Sequence, residues 1–129
     1  MPKFLNPPTL STPAARFSQA VLTGPAAQRL FISGQVGARV DGTLLEGLGP
    51  QTEQVFDNLC AALAAGGMEI TDIVKLTIFC TVPGGASVVR EIRNRRLASH
   101  APASTYVQVA GLANPGYLVE IEAEALREA

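Results

Sequence analysis

Three carboxylates alternate with apolar residues near the C-terminal end, in Tyr117-Leu118-Val119-Glu120-Ile121-Glu122-Ala123-Glu124-Ala125. A strand repeats every two residues, so Tyr117, Val119, Ile121, Ala123 and Ala125 share one face and Glu120, Glu122 and Glu124 the other. A carboxylate held in a cleft can act as a general acid or base, or position a water, and burial raises its pKa toward a working value. Glu120 is the candidate for that role; Glu122 and Glu124 read as solvated. Ser104, Thr105 and Tyr106 bring hydroxyls, but no base lies near them in sequence, so a nucleophilic serine is not expected. Tyr106 either donates to or stacks on a ligand, or fills a cleft. His100, the sole histidine, sits at a helix end and is expected at the surface, answering the helix dipole. Cys60 and Cys80 lack metal-type spacing and read as reduced core thiols of a cytosolic protein. Arg90, Arg93, Arg95 and Arg96 read as a solvated helix face.

These residues need a scaffold, and the composition supplies one. The 129 residues fit a single domain spanning 1–129, and 47% are hydrophobic, enough for a packed core. A formal net charge of -1 gives no pull toward nucleic acid or an anionic membrane. No apolar run approaches the ~20 residues that span a bilayer. The N-terminus lacks the basic-then-apolar build of a secretory signal. Residues 1–15, with Pro2, Pro7, Pro8 and Pro13, are expected to form an extended arm.

Strands are predicted over Phe17–Thr23 and Arg29–Val36, joined as a hairpin by Gly24-Pro25. Gly37–Gly49 reads as a loop, with a short irregular strand near Val40. Pro50 suits a first helical position, and Glu53 falls in the first turn, where it favours the dipole. Val55, Leu59, Ala62 and Leu63 form the apolar stripe, and Gly66-Gly67 ends the helix. Ile73–Val82 is the central strand, with Val74, Leu76, Ile78, Cys80 and Val82 on one face. A weaker helix covers Ala86–Ser99, with Val88, Val89, Ile92 and Leu97 as its stripe, and two strands close the chain. Two helices cover one sheet face only. The other, carrying Phe31, Ser33, Gln35, Thr77, Phe79 and the glutamates, is left for solvent or for a second copy of the chain.

This order of segments resembles the reactive-intermediate deaminase family, the YjgF/UK114 group often labelled endoribonuclease L-PSP. The likeness runs through Phe17-Ser18-Gln19-Ala20-Val21, Ile32-Ser33-Gly34-Gln35-Val36 and Asp57-Asn58-Leu59. It continues through Ala64-Ala65-Gly66-Gly67, Asp72-Ile73-Val74-Lys75-Leu76-Thr77-Ile78-Phe79, Pro102-Ala103, Val109-Ala110-Gly111-Leu112 and Val119-Glu120-Ile121-Glu122-Ala123. The resemblance implies an α+β, chorismate-mutase-like ββαβαββ fold and a homotrimer around a barrel-like core. It implies small-molecule clefts between subunits, with no metal or organic cofactor. Members of that family hydrolyse reactive imines and enamines to a carbonyl compound and ammonia. An arginine there holds the substrate carboxylate, and a glutamate places the water.

Carried onto this chain, the glutamate is Glu120, and Ser33 and Gly34 lend a hydroxyl and an amide. The tyrosine of the first strand is Phe17, a cysteine position is Tyr106, and an asparagine position falls near Val89. The arginine position is Ser104. A guanidinium grips a carboxylate through two parallel charge-assisted hydrogen bonds. Losing them weakens an anionic ligand by roughly 100-fold. The cleft is therefore expected to prefer neutral or cationic ligands unless Arg93 or Arg96 reaches in. Hydrolysis of an imine or enamine and non-catalytic binding of a small metabolite both remain open. A ribonuclease is the weakest reading, because no basic, aromatic-studded surface and no histidine pair is present.

Overall fold

The alternating glutamate segment folds as a strand, Val119–Glu128, inside the principal sheet rather than at its edge. The computed structural model describes residues 3–8 and 17–128. In chain order these form β1 (Lys3–Leu5), β2 (Ala20–Leu22), β3 (Ala26–Val36), α1 (Leu48–Ala65), β4 (Ile73–Cys80), α2 (Ala86–Leu97), β5 (Ala103–Gln108) and β6 (Val119–Glu128). The four-stranded sheet has the order β3-β6-β4-β5. β6 runs antiparallel to both neighbours, and β4 and β5 are parallel. Parallel neighbours need a crossover, which α2 provides.

Val55, Phe56, Leu59 and Leu63 of α1 and Val89, Ile92 and Leu97 of α2 pack into one core with Ile32, Leu76, Ile78, Val119 and Ile121. Both helices thus cover one face of a mixed sheet, as expected for the α+β class. The opposite face is open. Phe31 there is 70% exposed, and Glu122 and Glu124 are exposed beside it.

Two bulges decide which side chains face the core. Ile32 pairs with Ala123 and Gln35 with Ile121, so Ser33 and Gly34 together oppose the single residue Glu122. The extra residue reverses the alternation. Gln35, expected on the open face, instead turns toward α1, where it borders a groove with Asn58, Ala61 and Ala62. At the start of β4, Ile73 pairs with Ala125 and Lys75 with Glu124. Val74 is the extra residue, so Ile73 takes the buried place expected of Val74.

Other boundaries differ for local reasons. α1 begins at Leu48, behind Gly47 at φ 93°. Pro50 is therefore the third helical residue, which is harmless because the first four N–H groups have no helical partner anyway. Glu53 falls beyond the first turn and reaches α2 instead, bonding Arg95 and Arg96. The expected hairpin of the two N-terminal strands does not form. β3 spends its length on β6, while the short β2 pairs with β1. Of the expected arm, Lys3–Leu5 is strand, and residues 1, 2 and 9–15 lie outside the described residues. Val40 is a fully exposed turn residue, and the irregular strand expected near it is reduced to one antiparallel bridge between Ala38 and Leu44; Tyr117 precedes β6. Val88 is exposed, and Cys60 is only half-buried, whereas Cys80 is core.

His100 is not at the surface. It is 8% exposed, its Nε2 lies 2.7 Å from the Ile73 carbonyl, and the Phe4 ring meets it edge-on at 5.3 Å. The α2 arginines are likewise not a uniform solvated face. Arg96 bonds Glu53 at 3.1 Å and Asp57 at 2.7 Å and lies over the Phe56 ring. Burial alone would lower its pKa, but these partners raise it overall.

Candidate functional site

The predicted site residues fall into two groups, one on each face of the sheet. The first lines a cavity of about 200 Å³ beside β5, walled by Phe17, Ile78, Ala86, Val89, Tyr106 and Ser104, with Arg90 and Arg93 from α2. Ser104 and Tyr106 pair with Leu76 and Ile78 of β4 and so share their helix-facing side. Phe17 arrives by another route than the hairpin. Ser18 bridges Ala103 at the free edge of β5, with its N–H donating to the Pro102 carbonyl at 3.2 Å. The cavity is smaller than the ~300–1,000 Å³ of drug-sized sites, which suits a metabolite of few heavy atoms.

Tyr106 is pushed up to about 12, first by burial and then by its hydrogen bond with Cys80. It therefore enters chemistry near neutrality as a phenol, a donor rather than an anion. Val89 contributes only apolar wall.

Arg93 is the residue that the sequence placed in the wrong environment. Alternation around a helix does not separate an outward arginine from one whose stem lies along the core and whose head enters a cavity. Nη1 donates to Ser104 Oγ at 3.3 Å and Nη2 to Asn94 Oδ1 at 3.2 Å. Its pKa is lowered, first by burial and then by the neighbouring charge of Arg90. Of the two arginines named from the sequence, Arg93 reaches Ser104. Arg96 does not, being committed to Glu53 and Asp57.

The second group is Ser33, Gly34 and Glu120, on or beside the open face. Glu120 pairs with Val36 of β3 and Phe79 of β4, and its side chain lies directly against Gly34. A β-carbon on Gly34 would fall 2.6 Å from Glu120 Cδ, so only glycine leaves that carboxylate its place. The bulge at Ser33-Gly34 makes this close approach possible. Ile121, the residue after Glu120, is fully buried on the helix side, which sets the sheet between Glu120 and the cavity. Among the described residues, no three His, Cys, Asp or Glu side chains gather as a metal site, and no helix is long and apolar enough to cross a membrane.

An α+β chain with a two-helix layer, a carboxylate seated on a glycine bulge and a small cavity at the sheet edge defines a class, and comparison with known proteins names it. The family model described as Endoribonuclease L-PSP matches residues 9–127, and the chain belongs to that family. Protein DfrA of Myxococcus xanthus is 37% identical over 114 residues, 85% of this chain and 84% of that protein. The human 2-iminobutanoate/2-iminopropanoate deaminase is 34% identical over 113 residues, covering 86% of this chain and 80% of its own. The crystal structure of YyfB from Yersinia pestis, of the conserved Rid protein family, superposes with a TM-score of 0.87 at 30% identity, over 97% of this chain and 98% of that one.

Proposed function

We propose that this protein hydrolyses small reactive imines or enamines to a carbonyl compound and ammonia, in clefts completed by a second copy of the chain within a homotrimer. The observation that carries the reading is the Glu120 carboxylate seated on Gly34 at the β3 bulge. The human relative's name, an imine deaminase at 34% identity, supports the reaction class. In the reaction, Glu120 takes a proton from water as the oxygen adds to the carbon of C=N. It gives that proton to nitrogen, forming the neutral carbinolamine; it then takes the proton of the new hydroxyl and passes it to the amino group as the C–N bond breaks, leaving the carbonyl compound and ammonia.

The second copy is invoked because Glu120 and the cavity lie on opposite faces of one sheet, and the open face with exposed Phe31 is free to meet another chain. The test follows ammonia release from imines generated in situ by an amino-acid-oxidising enzyme. Wild type should accelerate release over buffer and Glu120→Ala should abolish that acceleration, with light scattering reporting a trimer mass. A wild type no faster than buffer would leave the protein a binder of small metabolites.

A further inference from the structure

Arg93 is 6% exposed, yet no carboxylate among the described residues pairs with it. Its Nε is enclosed without a hydrogen-bond partner among the described residues. The contacts to Ser104 and Asn94 are long beside the ~2.7–2.9 Å of a charge-assisted bond. Arg90, one turn earlier, brings a second positive charge to the same cavity. Burying a cation beside a like charge is costly unless an anion joins them. Phe17, Ile78, Ala86 and Val89 give the cavity an apolar side that suits a short hydrocarbon tail, and the Tyr106 phenol adds a donor.

We infer that Arg93 is the anion-gripping group of this cavity and that its ligand is a small carboxylate with a short apolar tail. The inference deepens the function proposed above and rests on it for placing the ligand in this cavity. The guanidinium comes from α2 instead of from position 104 of β5. Ser104, at the position where the family resemblance puts an arginine, is small enough to admit that side chain. Its hydroxyl accepts from Nη1 and steadies the fork, so Ser104 is a positioning residue. The expectation of a cleft for neutral or cationic ligands gives way accordingly.

The probe is butanoate against its neutral counterpart butanamide, with binding to the full chain followed by calorimetry. Wild type should hold butanoate at least about tenfold tighter than butanamide, the effect of one hydrogen bond to a charged group. Arg93→Gln should lose that preference, and Arg93→Lys should retain part of it. Adding Ser104→Arg to Arg93→Gln should restore it. Equal butanoate affinity in wild type and Arg93→Gln overturns the inference, as does a wild type that binds no butanoate. It is also overturned if Arg93→Gln changes the assembly mass without changing butanoate binding, since the guanidinium would then serve a partner chain. Should Arg93→Gln fail to fold, Arg93→Lys decides: preference undiminished by loss of the planar fork overturns the inference. Because binding is read without turnover, a wild type that grips butanoate through Arg93 but releases no ammonia refutes the hydrolytic reading alone.

Discussion

Replacing Gly34 with alanine places a methyl group where the Glu120 side chain now lies. The new carbon would stand 2.6 Å from Glu120 Cδ and 2.9 Å from Cγ. Carbon atoms pack at about 3.5–4.0 Å, so the carboxylate must retreat by about 1 Å or swing away. The backbone at Gly34 is not left-handed, so β3 itself tolerates alanine. The clash is with a flexible side chain on an open face, and a displaced rotamer costs about 0.5–1.5 kcal/mol. That lowers Tm by a few degrees for a domain of this size, at about 2–8 °C per kcal/mol. Catalysis is far less forgiving, since a misplacement of ~1 Å costs about 100-fold. Gly34→Ala should therefore lose about 100-fold in kcat/KM for ammonia release while calorimetry finds the fold almost unchanged. Full activity in this variant would refute the role given to Glu120. Collapse of the fold would refute the claim that only a flexible side chain stands in the way.

His100→Ala leaves the buried Ile73 carbonyl without its partner, and urea unfolding should report a loss of about 1–3 kcal/mol. Glu53 is pushed up by burial but lowered overall by its bonds to Arg95 and Arg96. Its contribution is thus complete above its ordinary pKa of 4.5 and lost as pH falls below it. Glu53→Gln should flatten that acid limb of the stability curve, and an unchanged limb would contradict the assignment. The Tyr106 phenol, raised from 10.0 to about 12, disfavours ionisation in the fold, so stability should decline as pH climbs through that interval. An ultraviolet titration should show a high-pH step that disappears in Tyr106→Phe.

The sequence exposed the parts of the fold that follow simple periods. The β6 alternation, the α1 stripe and the Gly66-Gly67 stop all appear where residue type alone puts them. Pattern failed where one extra residue breaks the count. Nothing in Ile32-Ser33-Gly34-Gln35 announces the bulge that reverses Gln35, and nothing in Ile73-Val74-Lys75 announces the one that buries Ile73. Of the candidate site, Phe17, Ser104 and Tyr106 do share one cavity. Glu120 lies elsewhere because strand alternation turns it from the helices, and the bulge leaves both Ser33 and Gly34 exposed beside it. Arg93 and His100 were misjudged for a common reason. Charge predicts exposure until tertiary packing supplies a carbonyl or a cavity, and neither partner is near in sequence: Ile73 for His100, Ser104 for Arg93.

The sheet standing between Glu120 and the Arg93 cavity acts as a partition wall, and this bears on how a rate should be measured. Chemistry that needs both groups belongs to an encounter between molecules, not to any one of them. Turnover per chain would then climb with protein concentration and level off once association saturates. An assay run only at high dilution would record an inert protein.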